Sequence, residues 1–309
     1  MRMCVKLNFY AIEGQGLRQA AGTGLYRMSA GRLGLRGTMS RQRLGQHFLG
    51  DEGWREQIAR AIRVSPHGMQ MSTVTPKENF CWIEIGAGHG EMTEHLLKSG
   101  APVTAVELDP PLVKRLESLA EFQRNLTVVH GDILTTDLAK ISAGKRMRIY
   151  GNLPYYITSP ILHHFFEHAR LIDEIHVVIQ LEVAHRLTAH PGSKSYGYLS
   201  VLTQYYARPD LALRIPRGAF RPPPEVDSAL VSMRLPGESA KLKLGDEAAF
   251  LGFVKACFAQ KRKTLSNNLR GVCEPGGVHK ILKGLNLRED ARAEQLRVEE
   301  LAAVFRAAT

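Results

Sequence analysis

Cysteine is scarce in this chain. Its 309 residues hold four, at Cys4, Cys81, Cys257 and Cys273. None forms a CxxC pair or lies in a Cys/His cluster with zinc spacing. That excludes a disulfide-stapled fold and a cysteine-built metal centre, and scattered single thiols fit a reducing compartment. Long apolar runs are also missing: no stretch approaches the roughly 20 residues needed to span a bilayer. The first 39 residues contain no continuous apolar segment of the kind a secretory signal needs. No internal repeat is present. These absences point to a cytoplasmic protein with no membrane partner.

What is present is ordinary in bulk. Hydrophobic residues make up 44% and charged residues 23%, as expected of a globular protein long enough for one large domain and a small one. The net charge is +11. Residues 1–39 contribute +5 and residues 237–309 contribute +4, leaving +2 for the middle. A basic balance suits a polyanionic partner, although many soluble proteins are mildly basic. Residues 1–39 are rich in Gly, Arg and Ala and read as a disordered extension. Three explanations of them stay open, an organellar transit peptide, a functional arm, or a start placed too early, since Met39 begins a more protein-like stretch.

From residue 80 apolar runs alternate with helical patterns. Phe80–Ile85, Pro102–Val106, Leu126–His130, Arg146–Tyr150 and Ile175–Leu181 read as strands, with helices over Glu91–Ser99 and Pro111–Phe122. This rhythm predicts a parallel sheet with helices on both faces and ligands at the C-terminal strand ends. Leu211–Ile215 and Ala229–Leu235 suggest a closing hairpin at the sheet edge, joined through Pro-rich sequence. Pro236–Gly245 reads as a linker. Phe250, Phe253, Val254, Cys257 and Phe258 then recur at helical spacing, with further helices at Val278–Leu282 and Val298–Phe305. The expected organisation is an extension over 1–39, an α/β domain over 40–236 and a small helical domain over 237–309.

The sharpest local motif is Glu84-Ile85-Gly86-Ala87-Gly88-His89-Gly90, between a strand and a helix. Glycines there permit a tight turn and close backbone approach to a ligand. Such a loop alone also serves other nucleotides. Glu107 ends the next strand about twenty residues on, where an acid can accept from ribose hydroxyls. Asp132 ends the one after, placed to accept from an adenine amino group. Singly, each acid is as easily a surface carboxylate. Together the three outline an adenosine site. The spacing is not GxGxxG, which favours S-adenosyl-L-methionine over a dinucleotide.

The fourth strand end carries Asn152-Leu153-Pro154-Tyr155. Adenine N6 is a poor nucleophile, because its lone pair is delocalised into the ring. Two acceptors on its N–H groups can draw the nitrogen toward a pyramidal form and aim it at a methyl donor. The Asn152 side-chain oxygen and a carbonyl at Leu153 or Pro154 suit that task, proline stiffens the loop, and Tyr155 offers a π face for an extruded base. Catalysis would be positioning and electrostatics, with no metal required. The same stretch also reads as a plain strand-to-helix turn, with Thr158 as N-cap before Pro160.

In order along residues 41–271, several landmarks resemble the KsgA family of small-subunit (16S) ribosomal RNA adenine N6,N6-dimethyltransferases. They are Arg43–Leu49, Glu84–Gly90, Val106–Asp109, Gly131-Asp132, Asn152–Tyr155, Ser195–Val201, Ala219–Ser228 and Gln260–Leu269. The resemblance implies a Rossmann-like methyltransferase domain with a seven-stranded, mostly parallel sheet whose last strand is antiparallel, followed by a small all-helical domain. It implies that His47 and Leu49 touch the cofactor, with Gly86, Glu107, Asp132 and Asn152 completing that site. It places Phe220 opposite Tyr155 across the target base; unaided, this phenylalanine would be read as core. It implies a monomer that dimethylates two adjacent adenines near the 3′ end of 16S rRNA in the immature small subunit. Asn is common in the family where this chain has His47. A helix carrying Lys261, Arg262 and Lys263 suits phosphate contacts, although such runs are commonly just solvated. The competing readings are an Erm-type 23S rRNA methyltransferase, an RNA-binding assembly factor with the same fold, and a small-molecule methyltransferase.

Overall fold

A computed structural model describes residues 47–64, 79–270, 273–274 and 276–309. The extension 1–39, landmark residues Arg43 to Gln46 and most of the long connection 65–79 lie outside them. The chain divides into two compact units after Lys243, within the stretch Pro236–Gly245.

The first unit is built on a seven-stranded sheet. Its strands are β1 (Phe80–Ile85), β2 (Val103–Glu107), β3 (Leu126–His130), β4 (Arg146–Asn152), β5 (Ile172–Gln180), β6 (Arg208–Ile215) and β7 (Ser228–Arg234). They lie in the order β3-β2-β1-β4-β5-β7-β6. The first five are parallel, and β7 runs antiparallel to both its neighbours. This is the Rossmann-like sheet expected. Burial explains the order. β1 and β2 are apolar on both faces and buried through almost their whole length, as inner strands of a covered parallel sheet must be. β3 and β6 are only partly buried and take the edges.

Two expectations need correction. The closing pair β6 and β7 is antiparallel, but only β6 is an edge strand; β7, buried over most of its length, inserts beside β5. β4 continues past Tyr150 to Asn152, because Gly151 and Asn152 still pair with Val177 and Val178 of β5. Asn152 is thus the last residue of a strand and takes its position from the sheet.

A separate two-stranded ribbon pairs Phe48–Leu49 antiparallel with Phe220–Arg221. The helix Glu52–Ala61 follows, capped by the Asp51 carboxylate, which accepts from the Trp54 N–H at 3.0 Å.

The second unit is helical, with helices at Glu247–Cys257, Leu265–Asn268, Gly277–Gly284 and Val298–Ala308. Phe250, Phe253, Val254 and Cys257 are buried as the spacing predicted. Phe305 sits against both Phe250 and Phe253, with ring centroids 5.6 and 5.5 Å apart. Phe258 falls just beyond the helix as its C-cap.

Candidate active site

The sheet order sets the C-terminal ends of β3, β2, β1 and β4 side by side. They carry Asp132, Glu107, Gly86 and Asn152. Gly86, Gly88 and Gly90 adopt φ of 64°, 60° and 89°, a region costly for residues with a Cβ. Two buried carboxylates hold this loop. Glu84 accepts from the Thr93 hydroxyl at 2.5 Å, which ties the strand to the following helix. Burial pushes the Glu84 carboxyl up to about 8, and nearby Glu91 and Glu107 add to the shift against the Thr93 hydrogen bond. Glu107 accepts the Gly88 N–H at 2.9 Å on one oxygen. Its other oxygen takes the N–H groups of Leu108 and Asp109, at 2.8 and 2.9 Å. A carboxylate offers about four acceptor positions, so roughly one stays open. Asp132 is exposed. Its Oδ1 accepts from the Leu134 N–H at 2.9 Å, and Oδ2 has no partner among the described residues. A Cβ built on Gly86 would meet nothing within 4 Å, so the loop is open on that side.

On β4 the chain comes very close to its neighbour. A Cβ on Gly151 would lie 2.9 Å from Leu153 Cδ2 and 3.1 Å from Ile85 Cβ. The next side chain, Asn152, donates its Nδ2–H to the His47 carbonyl at 2.8 Å. A carbonyl can only accept. The amide nitrogen must therefore face His47, and Oδ1 is turned the other way, without a partner among the described residues. The Leu153 N–H donates to Val178 O at 3.0 Å. Pro154 O is saturated, since it accepts from the Ile157 N–H and the Thr158 hydroxyl, both at 3.2 Å. The Leu153 carbonyl takes no such bond among the described residues, which separates two acceptors that the sequence left equal. Thr158 is not an N-cap: a 3-10 turn over Tyr155–Ile157 runs straight into the helix Thr158–Glu167, and its hydroxyl turns back to Pro154.

Tyr155 is half-buried and shares a hydrogen bond with Ser228 Oγ at 2.9 Å. Burial pushes its phenol up, the Ser228 hydrogen bond opposes that, and Asp227 adds to it. The ring stacked on Tyr155 is His47, with centroids 5.8 Å apart and planes at 29°. His47 Nδ1–H also donates to Pro222 O at 2.9 Å. Phe220 is 1% exposed and belongs to the core cluster with Leu49 and Tyr150. The reason is pairing: Phe220 stands opposite Leu49 in the ribbon, and both are buried there. Ser228 and the Pro222 carbonyl were missed as site groups, although both lie inside the landmark Ala219–Ser228.

In the helical unit, Lys261, Arg262 and Lys263 are all exposed. They sit on a turn, not on a helix. The preceding helix stops at Cys257, where the Asn268 amide donates to the Cys257 and Gln260 carbonyls at 2.7 and 3.1 Å. The Thr264 side chain then caps the next helix.

Comparison with known proteins places these features in context. The family model for ribosomal RNA adenine dimethylase matches residues 37–309. The chain is 39% identical over 261 residues to ribosomal RNA small subunit methyltransferase A of Xanthomonas campestris pv. campestris, covering 84% of this chain and 93% of the relative. The protein of that name from Xanthomonas oryzae pv. oryzae matches equally well. Among solved structures, a dimethyladenosine transferase from Plasmodium falciparum superposes with a TM-score of 0.69 at 22% identity, over 84% of this chain and 96% of that one. The 23S rRNA methyltransferase ErmE gives 0.62 at 26% identity, over 84% and 99%.

Proposed function

The chain belongs to the ribosomal RNA adenine dimethylase family, and on that footing we propose that it methylates N6 of two adjacent adenines near the 3′ end of 16S rRNA, twice each. The donor is S-adenosyl-L-methionine, whose sulfonium supplies an activated methyl group when bound. The single observation that carries this reading is the Asn152 amide, turned by the His47 carbonyl so that its oxygen is left to accept. Asn152 Oδ1 and the Leu153 carbonyl accept hydrogen bonds from N6–H, two in the first transfer and the one remaining in the second, and make the lone pair available; once methylated, N6 releases one proton to solvent. Tyr155, steadied by Ser228, gives the base a face to stack on. No strong general base is needed, because the work is positioning and electrostatics, and no metal enters the step.

The four strand ends suit the donor. The open face at Gly86 lets it approach the backbone. The remaining acceptor position on Glu107 takes a ribose hydroxyl, and the Asp132 oxygen that has no partner among the described residues takes the adenine amino group. His47 and Leu49 touch the donor from the N-terminal segment, and His47 also holds Asn152 through its carbonyl and packs on Tyr155. Lys261, Arg262 and Lys263 contact RNA phosphates. We infer a monomer working in the cytoplasm on the immature small subunit; among the described residues no helix is long and apolar enough to cross a membrane.

The likeness to ErmE supports a second reading, a 23S rRNA substrate. The higher identity to the small-subunit enzymes favours the first. Incubation with labelled donor and either immature small subunits or protein-free 23S rRNA separates them. Label in the small-subunit RNA is expected, and label confined to 23S rRNA would transfer the reading to the second.

A further inference from the structure

Away from the strand ends, the helix Thr158–Glu167 closes with a cluster that methyl transfer does not use. His164, Glu167 and His168 each offer a ligand atom, and these atoms lie within 4.8 Å of one another. Spacings of three and four residues set all three on one helix face. The tautomers are fixed by the backbone. His164 Nε2 lies 3.2 Å from Thr136 O, and His168 Nδ1 lies 3.0 Å from His164 O. Because carbonyls only accept, these nitrogens carry the protons, and the lone pairs fall on His164 Nδ1 and His168 Nε2. A ring that donates one N–H to a backbone carbonyl while its other nitrogen stays bare is the arrangement found around metal-ligating histidines. His164 Nδ1 also lies 4.0 Å from the Glu167 carboxylate.

We propose that His164, Glu167 and His168 form a binding site for a divalent transition ion, with zinc as its type ion. Two imidazoles and one carboxylate are a donor set zinc takes with three protein ligands, the remaining position going to water. The C-terminal end of a helix adds favourable potential for a cation. Glu167 is largely exposed, so the ion enters from solvent. Since His164 also holds Thr136, a bound ion braces the helix against the turn that follows β3.

Zinc titration of the full, untagged chain by calorimetry tests this, alongside Glu167→Ala and His168→Ala. Glu167 is on the surface, so its variant keeps the fold even if the histidine variant does not; circular dichroism checks both. The expected result is one ion per chain, bound about tenfold or more weakly in each folded variant, with zinc raising the wild-type Tm more than that of Glu167→Ala. Absence of zinc binding by the wild type, or undiminished binding in a folded variant, overturns the proposal.

Discussion

Glu107 grips a glycine only nineteen residues away, whereas Asn152 is turned by a carbonyl 105 residues away. The bonds that place the key side chains in the two halves of the strand-end row differ in this way. On the β1–β2 side, Glu84 meets Thr93 nine residues on, and Glu107 also holds the two N–H groups that follow it. On the β4 side, Tyr155 bonds Ser228 across 73 residues, and His47 bonds Pro222 across 175. One half is a local turn locked by its own carboxylates. The other is assembled only when the whole sheet and the ribbon are in place. The binding side should therefore resist damage to distant segments, while the reacting side should feel it.

The largest loss of stability is expected from Glu107→Ala. It removes the acceptor of three backbone N–H groups; the buried one at Gly88 costs about 1–3 kcal/mol when left unsatisfied, and the part-buried ones at Leu108 and Asp109 cost less. Chemical denaturation should register several kcal/mol, and calorimetry a weakened affinity for S-adenosyl-L-methionine. Next comes Gly151→Ala. Its methyl must displace the Leu153 side chain and crowd Ile85, at about 1–3 kcal/mol by the same assay. Methyl transfer should fall further than cofactor affinity, because the disturbance sits on the β4 side.

Glu84 sharpens the contrast through pH. Its carboxyl is raised from 4.5 to about 8 in the fold, so folding takes up a proton between those values. Its contribution is complete below about pH 4.5 and is lost as pH rises through 8. Glu84→Gln keeps an acceptor for the Thr93 hydroxyl without the titration. It should match the wild type near pH 5 and gain on it near pH 8.5, by up to a few kcal/mol. Equal pH slopes in urea denaturation would contradict this. The smallest effect is expected from Tyr155→Phe, which keeps the stacking face and loses the hydrogen bond to Ser228. That is worth about 1 kcal/mol, read as a decrease of a few-fold in transfer rate.

The same contrast governs what the sequence revealed. β1, the glycine loop, Glu107 and Asp132 were legible because their signals are local: an apolar run, a turn that needs left-handed residues, an acid at a strand end. Asn152 was legible from its chemistry. Its neighbours were not, because nothing near residue 152 announces that the His47 carbonyl will orient it. Phe220 reads as core from its residue type alone, and it is core in the fold. Its partnership with Leu49 carries it there, a pairing that nothing near residue 220 announces. Lys261–Lys263 show the same for helix ends, where capping by Asn268 and Thr264 turns an expected helix into a turn.

The central claim is that Asn152 presents its oxygen to the adenine amine. Asn152→Ala, assayed with labelled S-adenosyl-L-methionine on immature small subunits beside a calorimetric measurement of cofactor binding, tests it most directly. The account predicts a fall of about 10²–10³-fold in transfer, the scale of losing one preorganised group at a reacting centre, with the fold and most cofactor affinity retained. Transfer at the wild-type rate would contradict it.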